Sequence, residues 1–214
     1  MRRRSFLLLA AAGLSACAGP VQEHTRGIVL LIDTSGTYAK QLDKVRRIVG
    51  AILLKLEPQD SVAVARIDTA SFTEKNMLAR TTLPDSEGAA NAEKQLFNAR
   101  VLKILQTEEP SPYTDITGGL LQAIEYLREK DPGRKQILIF SDMEEDLAKG
   151  YVREEVPLNL KGIDVIALNV TKLRADNFDP RKYLSRLDAW KERVEKGGGK
   201  WKVINDVDHL DGLL

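Results

Sequence analysis

The chain alternates between short runs of apolar residues and longer segments in which apolar residues recur every three or four positions. Continuous runs rich in valine, isoleucine and leucine are typical of strands that are buried on both faces of a sheet. Five such runs occur, at residues 27–33, 61–67, 136–142, 164–170 and 200–205. A sixth segment, residues 75–83, is more polar and predicts an edge strand that could run antiparallel to its neighbour.

Helical patterns fill the intervals between these runs. In the first interval, apolar residues at three- and four-residue steps give the predicted helix one apolar face. The predicted helices are residues 38–56, 88–106, 115–130 and 179–196, with a short terminal helix at 207–214. Strands that alternate with helices imply right-handed crossovers. The pattern therefore predicts an α/β fold, an open, doubly wound, mostly parallel sheet of about six strands with helices on both faces.

Composition adds few constraints on function. With 214 residues, of which 43% are hydrophobic and 29% charged, the chain suits one folded domain with a substantial core. Its formal net charge of +1 and the lack of a long basic stripe argue against a nucleic-acid partner. The single cysteine, Cys17, excludes an internal disulfide framework.

The first residues predict an export signal. A basic start is followed by an apolar run at residues 6–14, which is too short to span a membrane, and then by small residues before Cys17. The sequence Leu-Ser-Ala-Cys at 14–17 resembles the lipobox of bacterial lipoproteins, which implies cleavage before Cys17 and a lipid on its sulfur. An ordinary signal peptide with a chance cysteine is the alternative. Residues 3–7 also resemble a twin-arginine signal, although a plain basic segment explains them equally well.

These features divide the chain into a signal peptide (1–16), a lipidated cysteine with a short spacer (17–26) and one domain (27–214). Cys17 would anchor the domain to a lipid bilayer, and the spacer reaches at most about 30 Å when extended. Ala18 follows the cysteine, and by resemblance to lipoproteins this favours the outer membrane. The predicted location is the bacterial cell envelope, with the domain facing the periplasm or the cell surface.

Polar residues cluster where the predicted strands end. Asp33, Ser35 and Thr37 follow the first apolar run, Thr114 precedes the third predicted helix, and Asp142 ends the run 136–142. In doubly wound sheets, ligands bind outside the carboxyl ends of the strands. A set of oxygen ligands with few charges suits Mg²⁺ or Mn²⁺. We therefore expect a divalent metal site at this edge of the sheet.

The order of these residues resembles the metal-ion-dependent adhesion site of the von Willebrand factor A domain family, in which D-x-S-x-S/T is followed by a distant threonine and a distant aspartate. The resemblance implies that Ser35 and Thr37 bind the metal directly, that Asp33 and Asp142 act largely through bound waters, and that Thr114 joins when the site is engaged. It also implies that a carboxylate from a protein or peptide partner completes the coordination. Adhesion or envelope assembly, without catalysis, would be the function.

Two departures from the family pattern affect the loops. Many members have glycines just before the distant threonine, whereas here Pro112 and Tyr113 precede Thr114. Met143 follows Asp142, where a glycine is frequent. The oxygen ligands themselves are unaffected.

Other interpretations of these residues stay open. Asp33, Ser35 and Thr114 could each cap a turn or a helix. Asp33 could be the nucleophile of a haloacid-dehalogenase-like phosphatase, whose motif is D-x-D-x-T. However, Ser35 stands where the second aspartate acts as general acid, and serine does not protonate a leaving group efficiently. A structural interaction domain without a working metal site is the third possibility.

Overall fold

The computed structural model of the chain describes residues 22–35, 41–107, 110–153 and 156–207. Within these ranges, six strands and four α-helices make an α/β fold. The strands are β1 (Gln22–Asp33), β2 (Ser61–Ile67), β3 (Met77–Thr82), β4 (Pro132–Phe140), β5 (Ile163–Leu168) and β6 (Lys200–Ile204). The α-helices are α1 (Leu42–Lys55), α2 (Glu87–Thr107), α3 (Ile116–Lys130) and α4 (Pro180–Lys196).

All six strands belong to one sheet with the order β3-β2-β1-β4-β5-β6. β1 pairs in parallel with both β2 and β4, and β5 and β6 extend the parallel part beyond β4. β3 pairs antiparallel with β2 at the edge, as its more polar sequence predicts. The strand order reverses between β1 and β4, and ligands bind at such switch points in open α/β sheets.

The central strand β1 explains why its sequence is apolar without interruption. Alternate residues enter opposite faces of the sheet: Ile28, Leu30 and Ile32 join the core on the α1–α2 side, whereas Val29 and Leu31 join the core on the α3–α4 side. Helices therefore cover both faces, and the predicted doubly wound architecture is confirmed. Burial of the strand brings its last residue, Asp33, to the edge of the sheet as a buried carboxylate.

Element boundaries differ from the predictions at several strand ends. β1 begins at Gln22 and pairs there with Pro132, so part of the predicted spacer belongs to the sheet. β4 ends at Phe140, two residues before Asp142, which lies in the following loop. The signal peptide, Cys17, Thr37 and all but the first residue of the predicted helix 207–214 lie outside the described residues.

Among the described helices, none combines the length and the apolar character that crossing a membrane requires.

Candidate functional site

Asp33 is the centre of the polar cluster at the carboxyl edge of the sheet. The residue is 1% exposed, and both of its carboxylate oxygens accept hydrogen bonds. Oδ1 accepts from the backbone N–H of Ser35 at 2.8 Å and from the Ser35 hydroxyl at 2.6 Å. Oδ2 accepts from the hydroxyl of Ser141 at 2.7 Å. The predicted turn role of Asp33 is thus present alongside its place in the site.

A second loop reaches the same point from the start of α3. The Thr114 hydroxyl donates to Ser35 Oγ at 2.8 Å, across 79 positions of sequence. The two loops are joined by backbone as well, because the N–H of Ser111 donates to the carbonyl of Thr34 at 3.1 Å. The structure therefore brings Asp33, Ser35 and Thr114 into one continuous hydrogen-bonded chain.

The loop after β4 is the third segment of the site. Asp146 exchanges two backbone hydrogen bonds with Thr114, at 2.7 and 3.0 Å. Asp142, in the same loop, is partly buried, and its Oδ1 accepts from the N–H of Glu144 at 2.9 Å. Asp142 lies close enough to Asp33 for the charge of Asp33 to act on its pKa. Four of the five predicted site residues thus lie at one edge of the sheet, and the fifth, Thr37, is outside the described residues.

The two carboxylates are destabilised in their charged forms. Burial raises the pKa of Asp33, although hydrogen bonds from Ser35 and Ser141 work against it. Burial also raises the pKa of Asp142, and the nearby negative charge of Asp33 raises it further. Two buried like charges favour protonation in the absence of a cation. A bound divalent cation would stabilise both carboxylates in the ionised form.

The spacing of the oxygens fits an octahedral metal. Mg²⁺ binds oxygen at about 2.1 Å, so neighbouring ligand oxygens on its octahedron lie about 3.0 Å apart. Ser35 Oγ and Thr114 Oγ1, the direct ligands that the resemblance implies among the described residues, lie 2.8 Å apart. In the described parts of the chain, no three histidine, cysteine, aspartate or glutamate side chains form a metal-binding group. The donor set at the sheet edge is instead two carboxylates combined with hydroxyls.

Asp115 explains how the Thr114 loop is held. It is fully buried and caps α3, because its carboxylate accepts from the N–H of Gly118 at 2.7 Å. Arg153 pairs with the same carboxylate at 2.9 Å, and the N–H of Ser71 donates to it at 3.1 Å. The helix cap thus falls to Asp115, which leaves the Thr114 hydroxyl for Ser35.

The first glycine after Thr114 has a steric reason. A Cβ at position 118 would collide with the Asp115 carboxylate, and one at Gly119 would touch Leu31 of the sheet at 3.4 Å. Glycine at 118 therefore permits the tight cap, whereas the contact at 119 is ordinary van der Waals packing.

Asp68 and Ser141 support the site but were not predicted from the sequence. Asp68 follows β2, and its Oδ1 accepts from the Ser111 hydroxyl at 2.6 Å. Burial acts to raise the pKa of Asp68, but hydrogen bonds from Ser111 and Thr69 and the charge of Arg66 bring it below its ordinary value. Asp68 lies at a strand end, as Asp33 does, and this position could have indicated its place near the site. For Ser141, the sequence holds no indication beyond its position next to Asp142.

Residues 143–153 are rich in charge, which is typical of a solvated face, yet part of this segment next to the site is buried. Met143 is fully buried, and the Glu145 carboxylate accepts from the N–H of Thr117 at 2.6 Å. Glu144 is exposed, and its carboxylate pairs with Arg186 at 3.2 Å. Glu144 and Glu145 thus tie the start of this segment to α3 and α4.

Comparisons with known proteins address the fold. A scan of protein-family models finds no match, and a search of curated proteins finds none. Among solved structures, the chain is similar to a von Willebrand factor type A structure from Catenulispora acidiphila, with a TM-score of 0.51 and 12% identity over 88% of this chain and 40% of that chain. It is also similar to the pilus adhesin SpaC from Lactobacillus rhamnosus GG, with a TM-score of 0.50 and 15% identity over 86% of this chain and 28% of that chain.

The chain thus spans less than half the length of each of these two proteins. At identities this low, the similarity concerns the fold alone. The sheet order, the helices on both faces and the polar edge at the switch point agree with that similarity. The chain has a von Willebrand factor A-type fold.

Proposed function

We propose that this chain is a von Willebrand factor A-type interaction module that binds a carboxylate of a protein or peptide partner through Mg²⁺ or Mn²⁺. The observation that carries the proposal is the hydrogen-bonded chain of Asp33, Ser35 and Thr114, next to Asp142, at the switch point of the sheet. Three loops that are distant in sequence supply these oxygens. A turn without a metal-binding role would need only the first of these three loops.

Neutral and charged side chains would have different roles at the metal. The hydroxyls of Ser35, Thr37 and Thr114 are neutral ligands, and Asp33 and Asp142 supply the negative charge, largely through bound waters. When bound, the metal supplies an electrophilic centre that attracts one external anion. Because the directly bound ligands are neutral, little of its charge is cancelled before the partner arrives.

We propose binding rather than catalysis. A phosphatase nucleophile at Asp33 would need a second carboxylic acid as general acid, yet its nearest partners are the hydroxyls of Ser35 and Ser141. Ser35, at the position of the general acid, donates to Asp33 instead. No feature of the described residues favours the phosphatase over the metal-dependent binding site.

We also propose that the module is tethered to the bacterial envelope by a lipid on Cys17, in the outer membrane facing the periplasm or the cell surface. The support is the lipobox-like sequence at residues 14–17, together with a basic and apolar start. Metabolic labelling with a palmitate analogue tests the anchor. The wild type should take up label and Cys17→Ser should not, and label on Cys17→Ser would refute the proposal.

The binding function is tested by capture of partners from an envelope extract, in Mg²⁺ and in chelator. Proteins retained in Mg²⁺ should be released by chelator and should be absent with Thr114→Val as bait. Thr73→Val is a matched control, because its hydroxyl only bonds a carbonyl of its own loop at 3.4 Å. Partners that remain in chelator would indicate a binding module without a working metal site.

A further inference from the structure

Helix α4 presents three donor side chains to the loops of the site. Arg186, Trp190 and Arg193 lie four and three residues apart, so they share one face of the helix. Arg186 Nε donates to the carbonyl of Asp142 at 3.0 Å, and the Trp190 indole donates to the carbonyl of Met143 at 2.8 Å. Arg193 donates to the Thr117 hydroxyl at 2.7 Å. One helix face thus contacts both the loop after β4 and the first turn of α3.

The turn that Arg186 and Trp190 hold is a strained one. Met143 has φ +63°, in the left-handed region that non-glycine residues seldom adopt. Its N–H donates to Ser141 Oγ at 3.0 Å, which ties the turn to the hydroxyl that also binds Asp33. The donors to the two carbonyls therefore act together with the Ser141 hydroxyl and the burial of Met143 in holding this strained turn.

Arg186 is itself held firmly. Its side chain is 9% exposed and pairs with Asp176, whose side chain is 1% exposed, at 2.8 Å. The other terminal nitrogen reaches the Glu144 carboxylate at 3.2 Å. A guanidinium bound on three sides has little freedom to move. It is therefore a fixed donor to the carbonyl of Asp142, anchored in the segment between β5 and α4.

From these contacts we infer that Arg186 and Trp190 are positioning residues that clamp the Asp142–Met143 turn and so set the place of Asp142 in the metal site. The inference rests on the proposed function, because it concerns the same site. Neither side chain touches the metal. They act through the backbone of the turn that carries the Asp142 carboxylate.

The test measures Mn²⁺ affinity by calorimetric titration, together with thermal unfolding in chelator. Arg186→Gln is combined with Asp176→Asn, so that no buried carboxylate is left without its partner. The surface control is Arg181→Gln with Asp179→Asn, a neighbouring pair on the same helix joined at 2.9 Å, whose arginine is 88% exposed. Thermal unfolding in chelator reports any general loss of stability that this exposed pair would not reproduce. A second comparison sets Trp190→Phe against Trp201→Phe on β6.

We expect the Arg186–Asp176 variant to bind Mn²⁺ about tenfold more weakly and Trp190→Phe about threefold more weakly, with both controls within twofold of the wild type. The Mn²⁺ affinity of Arg186→Lys should lie between those of the wild type and the Arg186–Asp176 variant. Lysine keeps one charged donor but lacks the planar set of N–H groups of the guanidinium. Trp190→Phe leaves the Arg186–Asp176 ion pair intact, so its Mn²⁺ affinity still tests the inference if the double variant does not fold.

Wild-type affinity in both Trp190→Phe and the Arg186 variants would overturn the clamp while leaving the metal site standing. Equal losses in the variants and in their controls would also overturn it, because the effect would then be general destabilisation. A wild-type protein that binds no Mn²⁺ would overturn the proposed function, and the clamp with it.

Discussion

Asp33→Asn should make the metal-free protein more stable while it removes the response to metal. The pKa of Asp33 is raised by burial, so the folded carboxyl holds its proton to a higher pH than the unfolded one. Stability from this group is complete below the unfolded pKa and is lost as pH rises through the folded pKa. At neutral pH the buried charge therefore destabilises the metal-free fold, and its neutral isostere does not.

Asparagine can keep the local hydrogen bonds. Its carbonyl oxygen can accept from Ser35 as Asp33 Oδ1 does, and its amide can donate to Ser141 Oγ after the hydroxyl turns. The substitution removes charge while it changes shape very little. Any gain in stability without metal would therefore report the electrostatic cost of the site.

With bound metal, we expect the wild type to be more stable than Asp33→Asn. A ligand at one hundred times its Kd stabilises the fold by about 2.7 kcal/mol. For a domain of this size, 1 kcal/mol shifts Tm by about 2–4 °C, so the wild type should gain about 5–11 °C in saturating Mg²⁺. Asp33→Asn should gain almost nothing, because it lacks the central carboxylate.

Thermal unfolding followed by circular dichroism, in chelator and in Mg²⁺, measures both effects. Asp164→Asn serves as the control, since this residue of β5 is a partly exposed aspartate that pairs with Lys200 at 3.8 Å. It should keep the metal-dependent shift. An equal shift in Asp33→Asn and the wild type would refute the reasoning, as would a wild type that does not respond to Mg²⁺.

Three further predictions concern the loops and their charges. Thr114→Val loses the hydroxyl bound to Ser35 at 2.8 Å. Calorimetry should show Mn²⁺ binding weakened at least about tenfold, or 1.4 kcal/mol. Unchanged affinity would contradict the role of Thr114 as a ligand. Arg153→Gln should lower the free energy of unfolding in urea by about 3–5 kcal/mol, because Asp115 would be buried without its partner; a loss below 1 kcal/mol would contradict this. Acidification below neutral pH should weaken Mn²⁺ binding, because raised pKa values let protons compete for Asp33 and Asp142, and a flat titration series would contradict competition.

Periodicity was sufficient to predict the architecture, because burial leaves a direct pattern in the sequence. The uninterrupted apolar run at 27–33 predicts a central strand, and β1 does lie between β2 and β4. The polar run at 75–83 predicts an edge strand, and β3 is one. Each element was predicted from residues that belong to it.

The supporting contacts of the site could not be predicted in this way. Arg186 reaches Asp142 across 44 positions, and Ser141 reaches Asp33 across 108. Such contacts depend on how helices and loops pack, and no local pattern records them. The loop after β4 shows the same limit, because its many charges suggested solvent exposure, whereas Glu145 finds its partner on α3.

Calorimetric titration of Mn²⁺ into metal-free protein shows whether Asp33, Ser35, Thr114 and Asp142 form a divalent metal site. We expect the wild type to bind one ion per chain saturably, and Asp33→Ala and Ser35→Ala to lose this binding. Absence of binding by the wild type, or unchanged binding by both variants, would contradict it.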